Sequence, residues 1–131
     1  MTCKGRILVI DDSQMMLDDI KAGLTEAGYD VLATSQTVGI ARHLKGCDLV
    51  ILDYHMPGID GLDVLRSLRA AAETSCINPR FYLYTSAERD VPDGAVDRFD
   101  GALKHKGNTV SLVQQVDAVF RLAKLKGLTG A

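Results

Sequence analysis

The chain has 131 residues, 47% of them apolar and 24% charged, with a formal net charge of −2. That is enough chain for one domain with a real core and too apolar for wholesale disorder, and the absence of basic runs leaves no nucleic-acid footprint. Cys3, Cys47 and Cys76 offer neither a disulfide framework nor a paired zinc spacing, and no apolar run has the length of a signal peptide or a membrane span, so the expected compartment is the cytoplasm.

The first element is "RILVID" (6–11), an apolar run that ends in acid and reads as a buried strand. Residues 13–28 carry Met16, Leu17, Ile20, Leu24 and Ala27 at helical spacing, with Ser13 placed to cap and Gly28 to stop. "YDVLATS" (29–35) reads as a strand. Residues 37–46 read as a short helix with Val38, Ile40, Ala41 and Leu44 inward. "DLVILD" (48–53) is a second strand apolar on both faces. Residues 61–73 predict a helix that turns Leu62, Val64, Leu65 and Leu68 to the sheet, and "RFYLYTS" (80–86) predicts the fourth strand. Pro92 and Gly94 interrupt 87–100, so a short or irregular helix at most is expected there. "GALKHK" (101–106) is the fifth strand, and 109–126 is a closing helix with Val110, Leu112, Val113, Val116, Val119, Phe120 and Ala123.

Strands alternate with helices five times, and two of the strands are apolar on both faces. This calls for an α/β fold, a doubly wound five-stranded parallel sheet with helices on both sides. No linker or repeat suggests a second domain, so residues 1–126 are expected to form one unit and 127–131 a flexible tail.

In such a sheet the functional crevice lies at the carboxyl ends of the strands. Those ends carry Asp11 and Asp12, Asp53, Thr85 and Ser86, and the run Lys104, His105, Lys106. Each residue has a structural reading of its own. Asp11 and Asp12 could cap the first helix, and Asp53 could cap the next one or form an Asx turn. Read together, three carboxylates repel one another unless a hard cation joins them, and Mg²⁺ with oxygen ligands fits that need. A carboxylate beside Mg²⁺ can attack phosphorus to form an acyl phosphate, and the phosphoryl oxygens then want a hydroxyl and a cation. Thr85 and a lysine of the fifth strand meet that requirement.

The segments "ILVIDDS", "LVILDYHMPGIDGLDVLRSLR", "YLYTSA" and "FDGALKHKG" resemble the receiver domains of two-component response regulators, over nearly the whole chain. The resemblance implies a CheY-like sheet of strand order 2-1-3-4-5. It implies that Asp53 accepts a phosphoryl group from a phosphohistidine on a histidine kinase or phosphotransfer protein. Asp11 and Asp12 would hold Mg²⁺, with Asp53 and the backbone carbonyl of His55 completing the metal site. Thr85 matches the switch hydroxyl and Ser86 the small residue after it. Pro57 and Gly58 shape the loop over the site, and Gly61 opens the next helix.

Three departures stand out. An ungapped match puts His105 where the family has its lysine and Lys106 where proline is usual; a one-residue shift, needing a bulge or a longer loop, recovers Lys106, and the opposite shift selects Lys104. Lys106 is the choice, since a fixed charge suits a phosphoryl oxygen better than imidazole. Ala102 stands where many receivers place an aromatic ring, leaving Tyr82 and Tyr84 as reporters or as core. The interrupted segment 87–100 replaces a regular helix.

The expected function is a stand-alone, phosphorylation-controlled switch acting on a partner protein. It would not be an enzyme in the ordinary sense, although it promotes its own Mg-dependent phosphoryl transfer and autodephosphorylation. It would be a monomer or weak dimer, without nucleic-acid or membrane partners. His55, beside the acyl phosphate, would either tune its lifetime or simply face solvent. The alternative is a module of the same fold that signals without phosphorylation. A flavodoxin-like electron carrier is rejected, because the acids of "DDSQMM" would repel a flavin phosphate.

Overall fold

The computed structural model describes residues 3–56, 58–86, 91–92 and 94–130, with the backbone alone at 55, 59 and 125–130. Five parallel strands, β1 (Arg6–Ile10), β2 (Asp30–Thr34), β3 (Leu49–Leu52), β4 (Arg80–Tyr84) and β5 (Gly101–Leu103), lie in the order β2-β1-β3-β4-β5. This is the expected sheet. A two-residue hairpin, His55–Met56 against Ile59–Asp60, stands outside it.

Side-chain alternation sorts the strands onto two layers. Ile7, Val9, Leu49, Ile51 and Tyr84 point to one face, under α1 (Gln14–Glu26) and α3 (Thr109–Gly130). Leu8, Ile10, Val50, Leu52, Phe81 and Leu83 point to the other, under α2 (Gly61–Thr74). All four side chains of β3 are buried. At roughly 1.5–3 kcal/mol each, their burial outweighs the cost of bringing one acid along at the strand's end.

Where the chain departs from expectation, the cause is local. The short helix expected over 37–46 is a single 3₁₀ turn, Ile40–His43, preceded by Gly39 at φ +75°. That left-handed residue ends any helical run ahead of it, and Val38, expected inward, is 86% exposed. β4 and β5 stop at Tyr84 and Leu103, shorter than predicted, because the chain leaves the sheet there to build the site. Within 87–100 a 3₁₀ turn covers Val96–Arg98, while 87–90 and 93 lie outside the described residues. The closing helix runs on to Gly130 instead of ending at 126; Gly127 weakens a helix without terminating it.

Candidate functional site

The site begins with register. β1 and β3 are neighbours and Ile10 pairs with Leu52, so the next residue on each strand, Asp11 and Asp53, emerges at the same level. The Asp53 amide donates to the Ile10 carbonyl (3.0 Å) and the Asp11 amide to that of Thr34 (3.3 Å). Both acids are buried, Asp12 is exposed, and one carboxylate oxygen from each of the three lies within 4.8 Å of the others.

The helix caps are made elsewhere. Ser13 caps α1, its Oγ accepting from the Met16 amide (3.3 Å), as its position suggests. Asp60 caps α2, accepting from the Asp63 amide (2.9 Å). Asp53 therefore caps neither helix, while Asp11 adds a local role by accepting from the Ser13 amide (3.0 Å). Gly61 donates its amide to the Tyr54 carbonyl (2.8 Å). A Cβ there would sit 2.8 Å from Tyr54 Cα and 3.1 Å from the Asp53 carbonyl oxygen, so only glycine lets α2 start this close to the acid.

Lys106 brings a cation against two of these acids. Its Nζ lies 2.6 Å from Asp11 Oδ2 and 3.3 Å from Asp53 Oδ1, and all three side chains are at most 7% exposed. The extra residue lies in a turn beyond the end of β5, where His105 stands at φ +61°. His105 and Lys104 are exposed. Burial pushes the Asp53 carboxyl above its ordinary range; Lys106 pulls it back down, and Asp11 pushes it up. Thr85 is buried one residue past β4. The backbone of His55 begins the small hairpin, paired with Asp60; its side chain, and Pro57, lie outside the described residues.

Two further residues shape the site. The Tyr84 hydroxyl accepts from the Gly107 amide (3.2 Å) and donates to the His105 carbonyl (3.5 Å). Gln115, on α3, takes both backbone groups of Lys104: its Oε1 accepts from the amide (2.7 Å) and its Nε2 donates to the carbonyl (2.8 Å). Alternation puts Tyr84 on the α1–α3 face, but no local pattern announces the contact between its hydroxyl and a loop more than twenty residues later. Tyr82 stays on the same face, its ring over Gly101, where a Cβ would meet Cε2 at 2.5 Å.

Asp11, Asp12 and Asp53 offer only carboxylate oxygens, a hard donor set that suits Mg²⁺ and excludes a thiolate or imidazole metal site at this cluster. Among the described residues no helix is long and apolar enough to cross a membrane.

Comparison with known proteins agrees with this geometry. The family model for the response regulator receiver domain matches residues 7–117. The transcriptional regulatory protein TrcR of Mycobacterium tuberculosis is 31% identical over 94% of this chain and 44% of its own length. Protein PilH of Pseudomonas aeruginosa is 39% identical over 56% of this chain and 62% of its own. The matches span only about a third of the length of the first curated relatives. Among solved structures, the response regulator protein TrrA of Thermotoga maritima, in complex with Mg²⁺ and BeF, superposes with a TM-score of 0.71 at 28% identity, covering 87% of this chain and 97% of that one. With its sheet order, its strand-end acids and a family match over most of its length, this chain belongs to the response regulator receiver domains.

Proposed function

We propose that this chain is a phosphorylation-controlled switch in which Asp53 is the phosphoacceptor. The carrying observation is the buried triad of Lys106 with Asp11 and Asp53, beside the exposed Asp12, at the carboxyl ends of the sheet. In the proposed step an Asp53 carboxylate oxygen attacks the phosphorus of a phosphohistidine. The P–O bond forms as the P–N bond breaks, and the released imidazole takes up a proton. Asp11, Asp12, Asp53 and the His55 carbonyl would hold Mg²⁺, which when bound offsets charge on the transferring group. Lys106 supplies a fixed positive charge to a phosphoryl oxygen, and Thr85 a hydroxyl to another. Hydrolysis by water returns the carboxylate, so the chain is a switch that promotes its own chemistry and no enzyme acting on a separate product.

The donor in this reading is a histidine kinase or phosphotransfer protein; TrrA has been solved in complex with the histidine kinase ThkA. The state of Asp53 would bias two pre-existing conformations and so control a partner protein. Residues 1–126 are read as the switching unit, acting alone in the cytoplasm as a monomer or weak dimer; the likeness to PilH, most of whose length aligns, supports the stand-alone reading.

The test is incubation with Mg²⁺ and acetyl phosphate, followed by intact mass. The expected result is a gain of one phosphoryl group that is absent in Asp53→Asn and without Mg²⁺. No gain in the wild-type chain overturns the reading in favour of a module that signals without phosphorylation.

A further inference from the structure

β5 leaves the sheet at Leu103, yet the charge that matters is carried three residues later. No strand pairing holds Lys106. The turn that presents it contains His105 at φ +61° and Gly107 at φ +99°, and a left-handed backbone at a non-glycine residue persists only where its surroundings over-determine it. Gln115 pins Lys104, but its two bonds lie upstream of the turn. The Asn108 amide closes the turn onto the His105 carbonyl (3.0 Å).

Tyr84 holds both flanks of the lysine. Its ring is fully buried in the layer under α1 and α3, so its hydroxyl is a fixed point. That oxygen accepts from the Gly107 amide on one side of Lys106 and donates its proton to the His105 carbonyl on the other, the Gly107 bond being the shorter. The ring also lies beside the charge, with Lys106 Nζ 5.8 Å from its centroid.

We propose that Tyr84 is a positioning residue: its hydroxyl fixes the 105–107 turn and thereby seats the Lys106 ammonium between Asp11 and Asp53. This rests on the reading of Lys106 as the cation for the phosphoryl oxygens, and it adds the device that lets a turn beyond β5 deliver that cation without a strand or a proline.

The test is Tyr84→Phe, which keeps the buried ring and removes one oxygen. Three measurements are made. The first is amide hydrogen exchange in the metal-free protein: Gly107 is expected to exchange about tenfold faster, as for one lost hydrogen bond, with Leu8 and Ile51 unchanged. The second is affinity for Mg²⁺ alone and for beryllofluoride with Mg²⁺. Lys106 sits on two oxygens of the acid cluster, so slackening it leaves Mg²⁺ affinity equal or higher. The beryllofluoride anion loses its partner and binds about five- to tenfold more weakly. The third is the same substitution in a Lys106→Met background, where it is expected to change beryllofluoride affinity no further.

Unchanged Gly107 exchange, parallel losses of Mg²⁺ and beryllofluoride affinity, or additivity with Lys106→Met would each overturn the proposal. If the wild-type chain takes up no beryllofluoride, the phosphoacceptor reading fails by itself, and the exchange of Gly107 still decides whether Tyr84 seats the turn.

Discussion

The two ends of this sheet carry similar charges in opposite settings. At the amino end Arg6 Nε meets Asp30 Oδ2 at 3.0 Å with both side chains more than half exposed, and Lys4 Nζ meets Asp117 at 3.8 Å. At the carboxyl end Lys106 meets Asp11 and Asp53 with all three side chains nearly dry. Water screens the first set, so each pair contributes little; the second set has given up its water and depends on its partners. The difference teaches where chemistry can be done. A carboxylate that shares one lysine with a second buried acid is poised to exchange partners, and an exposed pair has nothing comparable to gain.

The largest expected effect follows from removing that lysine. Lys106→Met leaves Asp11 and Asp53 buried and uncompensated beside Asp12, and should lower stability at neutral pH by about 3–5 kcal/mol in urea unfolding. Mg²⁺ should restore more stability to this variant than it adds to the wild type, because it replaces the missing cation. A loss under about 1 kcal/mol would put the carboxyl end in the class of surface pairs and dissolve the contrast.

Cys47 sharpens the comparison from the amino end, where it is buried beside the exposed Arg6 and Asp48. Burial pushes its thiol from 9.0 up to about 11, with the Asp48 charge adding and Arg6 subtracting. The unfolded chain therefore loses this proton first as pH rises. Between pH 9 and 11 the native state binds more protons than the unfolded state, so stability falls with pH through that window, by about 2–3 kcal/mol from this group. Cys47→Ala should flatten that part of the curve while lowering its neutral plateau; an unchanged slope would mean that the thiol is not desolvated.

Gly61→Ala comes next. Its new Cβ would meet the backbone of Tyr54 and Asp53, which cannot step aside as a side-chain tip can. Thermal unfolding should show about 1–3 kcal/mol of destabilisation, and on the proposed phosphoacceptor reading the mass gain with acetyl phosphate should be slower. Much of this end was legible in the residues. The runs before Asp11 and Asp53 read as buried strands, too short for helices, and parallel neighbours with matched register deliver both acids together. The lysine was harder, because three candidates sit in "KHK" and the choice turns on His105 adopting a left-handed backbone, which histidine takes more often than most residues but still uncommonly. The 3₁₀ turn at Ile40–His43 departs from its sequence pattern for the opposite reason: apolar spacing is present, but Gly39 breaks the run. Tyr84 could be placed on a face by alternation, yet its hydroxyl contacts depend on the path of a later loop.

The smallest expected effect is the control for all of these. Arg6→Gln removes the guanidinium that faces Asp30 but leaves the Arg6 amide donating to Asp48 Oδ2 (2.9 Å), so the backbone of β1 keeps its tie to the loop before β3. What remains to be lost is one exposed ion pair, worth under about 1 kcal/mol and mostly screened in salt. Urea unfolding of wild type and variant at low and at high ionic strength should converge as salt rises. The same titration with a monovalent salt on Lys106→Met should not converge, since diffuse screening acts far less on buried charges than on an exposed pair. Salt dependence at one end and salt indifference at the other is the form the contrast takes in solution. A variant at Arg6 costing as much as the one at Lys106 would mean that register at the amino end, rather than desolvation at the carboxyl end, governs how firmly the acids are held.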